Sequence, residues 1–276
     1  MPKICYNGQF IDKNEKVLSF NNRAFKYGDS FFETIRCVNG TPLFWEDHYF
    51  RIAGSFIVLK MSIPDSFNLD YFKDLIEELL EFNKLKNCHS RVRISFFRSE
   101  GGCYLPHTNS LGFIIDTVIL DTHNYELNET GLVLGFYKEN LIYSNHISRL
   151  KSNNRLLNIL ASIYAKENNL DDVLLLNTNK NIVESTLGNI FIIKDGNIIT
   201  PPIEQGCVDG VMRKVLIEKT PFSIIQKQIS ISELLNADEV FISNVIRGIQ
   251  WCASIDKKKY NKNNILNINK NLDQLI

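Results

Sequence analysis

Three Xaa-Gly pairs set between apolar runs constrain this chain most. Asn7-Gly8 lies within ICYNGQFI, Asn39-Gly40 within FETIRCVNGTPLFW, and Asp195-Gly196 within LGNIFIIKDGNIITPP. Asn-Gly and Asp-Gly adopt the positive φ angles of a two-residue turn, and so short a turn joins only antiparallel strands. Hairpins are therefore expected towards both ends of the chain, with helical periodicities between them. EDHYFRIAGSFIVLKM and LDYFKDLIEELLEFNKL predict two helices, the second capped by Asn68 or Asp70. SRVRISFFR predicts a strand with Arg91, Arg93 and Ser95 on one face and Val92, Ile94 and Phe96 on the other. SEGGCYLPHTN predicts a loop, and LGFIIDTVIL the next strand.

DTHNYELNETG is polar and turn-rich, which places a linker over 121–130 between a smaller α/β domain (1–120) and a larger one (131–276). The second half opens with the strand LVLGFYKEN. SRLKSNNRLLNILA (148–161) then begins an amphipathic helix, with Leu150, Leu156, Leu157, Leu160 and Ala161 expected to cover a core. DVLLLN and IVES predict strands, and DGVMRKVLIEKT predicts a helix opening at Asp209-Gly210. SISELLNA predicts a short helix capped by Ser230 or Ser232, with Glu233 placed for a capping box, and DEVFISNVI a further strand. The Asn/Lys-rich tail (257–276) is expected to be loosely held. The order describes two mixed α/β domains, each sheet carrying helices, and 276 residues at 44% hydrophobic suffice for a substantial core.

Lys+Arg and Asp+Glu both number 31, so no net field favours nucleic acid or an anionic membrane surface. No apolar run approaches the roughly 20 residues of a membrane span, and the first residues, MPKICYNG, lack the apolar core of a signal peptide. A cytoplasmic location is the expectation. The six cysteines (Cys5, Cys37, Cys88, Cys103, Cys207, Cys252) include no CxxC pair, which points away from a zinc site or a disulfide framework and towards reduced, mostly buried thiols.

Four features carry possible chemistry. Lys151 sits beside apolar Leu150 at the start of the predicted helix, with Arg149 and Arg155 at i−2 and i+4. A lysine becomes nucleophilic when it is desolvated or set near other cations. Glu184, in VESTLGNIF, lies in an apolar strand and needs a partner if buried. GVMR (210–213) places glycine and free backbone amides at a helix start, the arrangement that cradles phosphate. Arg51, in HYFRI, stands among apolar neighbours. A nucleophilic amine, a carboxylate, an anion cradle and an arginine are together what pyridoxal phosphate requires.

In order and spacing the chain resembles the class IV aminotransferases, the fold-type-IV pyridoxal phosphate enzymes. That family includes branched-chain and D-amino acid aminotransferases and 4-amino-4-deoxychorismate lyases. The matching blocks are NGQFI, FKYGDSFFETIRCVNG, WEDHYFRI, SRLKSNNRLLNILA, IVESTLGNIFIIKDGNIITPP, GVMRKVLIE and ADEVFISNVIRGIQ. The resemblance implies two α/β domains with the cofactor in the cleft between them, and an active site completed by both subunits of a homodimer. It makes Lys151 the Schiff-base lysine and Glu184 the partner of the pyridine nitrogen. Arg51, the backbone amides of Val211 and Met212, and a second loop at Ser243 and Asn244 (with Val245) would hold the phosphate.

Two reactions fit this likeness. KSNNRL and GVMR resemble the lyases, which release 4-aminobenzoate for folate synthesis together with pyruvate. Branched-chain enzymes carry Gly-Asn-Tyr after the lysine and a threonine in the turn where Met212 stands. Against the lyases, Cys103 falls where they carry a substrate arginine. Arg93, at a position basic in both groups, and Arg91 on the same face are the expected carboxylate ligands. A lyase-like enzyme is the favoured reading, and an amino acid aminotransferase the alternative.

Overall fold

The computed structural model describes residues 1–121 and 124–276, and its chain divides into two units. The first comprises residues 1–123 and 150–154; the second comprises 124–149 and 155–276. Two positions of the expected linker, 122 and 123, lie outside the described residues.

The first unit runs β1 (Lys3–Tyr6), β2 (Gln9–Asp12), α1 (Arg23–Tyr27), β3 (Ser30–Val38), β4 (Thr41–Pro42), α2 (Trp45–Leu59), α3 (Tyr71–Phe82), β5 (Ser90–Arg98) and β6 (Leu111–Ile119). Its strands form one antiparallel sheet in the order β2-β1-β6-β5-β3-β4, so β5 is an interior strand. Both Asn-Gly hairpins form, pairing Tyr6 with Gln9 and Val38 with Thr41. Asn7 and Gly8 take φ of 49° and 87°, as the turn requires. The apolar face of β5 packs on α2 and α3 through an aromatic core. Phe96 stacks on Phe31 at 4.9 Å and meets Phe56 and Phe72 edge-on. Of the two residues expected to cap α3, Asn68 does so, accepting from the N–H groups of Asp70 and Tyr71.

The second unit runs β7 (Leu132–Ile142), α4 (Leu156–Glu167), β8 (Asp172–Asn177), β9 (Ile182–Ser185), β10 (Asn189–Lys194), β11 (Asn197–Thr200), α5 (Val211–Lys219), β12 (Ile224–Gln226), α6 (Ile231–Leu235), β13 (Glu239–Asn244), β14 (Gly248–Ile255), β15 (Lys258–Lys259) and α7 (Asn263–Asp273). Its sheet follows the order β12-β11-β10-β13-β14-β7-β8-β9, and β9 also pairs with β10 through Glu184 and Asn189. That last pairing closes six strands into a ring. Leu134, Leu174, Ile190, Val240 and Ile242 form the main core. Ser230 caps α6 in the expected capping box with Glu233.

Three expectations fail. The helix of the 148–161 segment begins only at Leu156, because Lys151–Asn153 is extended and pairs with β3. The stripe is also turned. Leu156 and Leu160 are 75% and 49% exposed, while Ala161 and Ala165 are buried against Tyr137, Val173 and Leu175. Nor is the tail loose. Ile265, Ile268 and Leu272 bury one face of α7, Glu239 accepts from the N–H groups of Asn264 and Ile265, and Asn269 donates to Tyr125 O. Composition hid an i, i+3, i+7 stripe among asparagines and lysines. The elements α1, β12 and β15, of five, three and two residues, are too short to show a period.

Candidate active site

In the first unit, Lys151 is placed by its backbone. Phe32 N–H donates to Lys151 O (2.9 Å), Asn153 N–H to Ser30 O (3.0 Å), and Asn153 Nδ2 to Ser30 Oγ (2.7 Å). These bonds hold the segment extended along the first residues of β3. The half-buried Lys151 side chain then stands over Phe32, its Nζ 4.7 Å from the ring centroid. Arg93 shares that ring, its Cζ 3.7 Å from the centroid, and donates to Ser95 Oγ (3.2 Å) and Asn153 Oδ1 (3.3 Å). The strand alternation expected of β5 thus brings Arg93 to the same Phe32 ring as Lys151. Arg91 lies exposed on the same face, and Asp116 faces Arg93 in register on β6. Burial holds the Asp116 carboxyl above its usual range, against the pull of Arg93. Gly28, at φ 63°, closes α1 where a Cβ would lie 2.4 Å from Asn154 Oδ1, so the KYGDS and KSNNRL blocks meet here. Arg149 belongs to the second unit, where its guanidinium lies 3.9 Å from Glu204.

Arg51 lies on α2, with its guanidinium set against buried Glu33 of β3. Nε donates to Oε2 at 3.0 Å and Nη2 donates to Oε1. His48, fully buried one turn earlier, brings Nδ1 to 3.0 Å from the same carboxylate. Arg51 is therefore oriented on the helix-covered face of β3, whereas Phe32 alternates to the other face. Burial raises the Glu33 carboxyl, but Arg51 and His48 outweigh it and hold the group well below the ordinary carboxylate range. Burial also keeps the His48 imidazole below its usual 6.5, despite Glu33. Both folded-state shifts are downward, so the unfolded chain binds more protons and stability declines as pH is lowered. The His48 contribution is lost first, from about pH 6.5 downward, and the Glu33 contribution as pH falls below about 4.5. Thermal melts should show a midpoint that declines between about pH 7 and about pH 5, with a smaller decline in His48→Asn. A wild-type midpoint that is flat over that interval excludes the effect.

The second unit assembles the remaining residues in one row. Glu184 pairs with Asn189, and Asn189 with Ser243, across β9, β10 and β13, which turns the three side chains to one face. Glu184 is 5% exposed and accepts from Val208 N–H (2.9 Å); Asn189 Nδ2 donates to Val208 O (2.9 Å). A single residue, Val208, is thus gripped at both backbone groups just before α5. Gly210 is the N-cap of α5, and a Cβ there would lie 2.0 Å from Asn189 Oδ1, so only glycine lets the helix start approach the row. Gly210 has no side chain with which to cap α5. Val211 and Met212 bury their side chains, leaving their first-turn N–H groups as their polar contribution. Ser243 Oγ is buried and has no hydrogen-bond partner among the described residues. The Asn244 side chain shapes its own turn, accepting from Ile246 and Arg247 N–H and donating to Leu187 O. Next to this row burial pushes the Cys207 thiol up to about 12, and Glu184 adds to the shift, so that thiol is no nucleophile at neutral pH.

Sequence patterning does not single out Asn189, Glu33, His48 or Asp172. The buried Asp172 carboxylate accepts from Thr186 Oγ1 (2.5 Å) and Val173 N–H (2.8 Å), holding the turn after Glu184. For Asn189 a signal exists: it stands five residues after Glu184, at the start of a strand following the turn LG. Uncapped helix amides, an orphan buried hydroxyl and a buried carboxylate fit the phosphate and pyridine nitrogen of pyridoxal phosphate. Among the described residues no cluster of His, Cys, Asp and Glu is arranged to hold a metal ion, and no helix is long and apolar enough to cross a membrane.

A model of the family described as amino-transferase class IV matches residues 30–255. The chain is 26% identical to the D-alanine aminotransferase of Staphylococcus haemolyticus over 93% of its own length and 90% of that protein's. It is 26% identical to the aminodeoxychorismate lyase of Vibrio harveyi, over 85% of this chain and 86% of the other. In fold it resembles the branched-chain aminotransferase of the thermophilic archaeon Thermoproteus uzoniensis, solved with norvaline. The TM-score is 0.88 at 22% identity, covering 97% of this chain and 92% of that one.

Proposed function

Since this chain belongs to the amino-transferase class IV family, whose members are pyridoxal-phosphate-dependent aminotransferases or lyases, we propose that it acts as a 4-amino-4-deoxychorismate lyase-like enzyme. The products would be 4-aminobenzoate, a folate precursor, and pyruvate. The cofactor, when bound, supplies an electron sink for charge developing at the substrate α-carbon. Lys151 is the proton carrier at that carbon, and Glu184 keeps the pyridine nitrogen protonated. Arg51, the Val211 and Met212 amides, Ser243 and the Asn244 turn hold the phosphate. Arg91 and Arg93 take the substrate's carboxylates.

The observation that carries this reading is the Phe32 ring that the Arg93 guanidinium and Lys151 Nζ share, at 3.7 Å and 4.7 Å from its centroid. With Arg91 on the same face, the pair suits a substrate bearing two carboxylates. One observation favours the alternative, an amino acid aminotransferase of branched-chain or D-amino acid type: Cys103 stands exposed where the lyase pattern has an arginine. Incubation with 4-amino-4-deoxychorismate should yield pyruvate and 4-aminobenzoate with no 2-oxo acid added. Failure to form either, together with amino transfer from leucine or D-alanine, reverses the ranking. Arg93→Met should raise KM for the anionic substrate by several-fold to a few hundredfold, on the order of 1–3 kcal/mol for a charge-assisted contact. An unchanged KM removes Arg93 from the site.

A homodimer belongs to the same reading. Leu156, Ile159, Leu160 and Ile163 form an exposed apolar stripe on α4, at 75%, 53%, 49% and 49% exposure, suited to being covered by a second copy. Sedimentation of the purified protein should give about twice the 31.8 kDa chain mass.

A further inference from the structure

Arg213 is a buried cation that forms no ion pair among the described residues. It lies on α5, directly after Met212, and is 4% exposed. Its Nη2 donates to two neutral oxygens, Pro201 O (2.9 Å) and Gln226 Oε1 (2.7 Å). Its Nε is buried with no hydrogen-bond partner, and among the described residues it forms no ion pair with a carboxylate. A buried charge is costly unless an opposite charge compensates it. The hydrogen-bond acceptors of this guanidinium are a carbonyl and a side-chain amide, both neutral.

The same helix opens two residues earlier on the uncapped amides of Val211 and Met212, near the orphan hydroxyl of Ser243. Side chains on a helix lean towards its N-terminus, which brings the charge of Arg213 to bear on that end. We propose that Arg213 is a positioning residue for the cofactor phosphate: its uncancelled charge is the counter-charge of a dianion seated on the first turn of α5. The inference rests on the reading of that turn as the phosphate cradle. It adds a residue that acts on the phosphate through its field, without touching the reacting atoms. Gln226 matters here because its neutral amide anchors the guanidinium without cancelling it.

The test compares binding of pyridoxal phosphate and of phosphate-free pyridoxal to the cofactor-free protein, by titration calorimetry. Wild type should prefer the phosphorylated form strongly. Arg213→Met should cut that preference by about tenfold while leaving pyridoxal affinity in place, and Arg213→Lys, which keeps the charge, should restore most of it. Gln226→Glu gives an independent arm that leaves the arginine and its packing intact. A carboxylate at that exposed position pairs with Arg213 and should lower the preference in the same direction. If Arg213→Met weakens both ligands equally, or Gln226→Glu leaves the preference unchanged, the guanidinium only packs the loop and the inference fails. If wild type itself shows no preference for the phosphorylated form, the cradle reading fails and the inference goes with it.

Discussion

Lys151→Ala should abolish turnover on every substrate tested, and the purified variant should lack the visible absorbance expected of the wild-type holoenzyme. The amine is the proposed proton carrier at the substrate α-carbon, and removing both nucleophile and base from such a site costs on the order of 10⁴ or more in kcat. The fold should be unmoved, which makes the experiment clean. The contact that orders this segment is the Lys151 backbone carbonyl accepting from Phe32 N–H, and alanine keeps it. The Nζ contact with the Phe32 ring is lost, about 0.5–1 kcal/mol at a partly exposed site. Borohydride treatment of the wild-type holoenzyme followed by peptide mapping should place the pyridoxyl label on Lys151. A label on another lysine, or retained turnover in Lys151→Ala, overturns the assignment.

Glu184→Gln should lower kcat about 10- to 100-fold with little change in thermal midpoint. The amide oxygen of glutamine still accepts from Val208 N–H, so the architecture stays, while the negative charge that keeps the pyridine nitrogen protonated is gone. Glu184→Leu separates the two roles. It leaves the Val208 N–H without its partner near the start of α5, which costs about 1–3 kcal/mol of stability in addition to the kinetic loss. Equal kcat in wild type and Glu184→Gln would reduce Glu184 to a structural anchor of Val208. The two variants therefore test the charge and the hydrogen bond independently, by steady-state kinetics and calorimetric melting.

Much of this site is readable before folding because its residues lie in short contiguous blocks with strong local signals. Gly210-Val211-Met212 shows a glycine at a helix start, and the helix begins there. The alternation in SRVRISFFR puts Arg91 and Arg93 on one face, and β5 has that alternation. The misreadings have a common origin. Spacing alone assigns Leu156 and Leu160 to a core, yet spacing defines a stripe without saying which of two apolar faces meets the sheet. Here the small residues Ala161 and Ala165 face inward, where α4 lies close to β8, and the leucines face outward. In the tail the reverse holds, with three buried residues outvoted by their polar neighbours.

What the amino-acid sequence determines unaided is local in origin: the Xaa-Gly hairpins, the capping box at Ser230 and the helix start at Gly210. Family membership is legible too, because its blocks are contiguous. Tertiary structure alone decides which distant residues meet. The grip of Glu184 and Asn189 on Val208, the bond of Glu33 to Arg51, and the meeting of Lys151 and Arg93 at the Phe32 ring each join separate elements of the chain. Strand register fixes such meetings, and register follows from the fit of whole faces against a core, so no single segment encodes it.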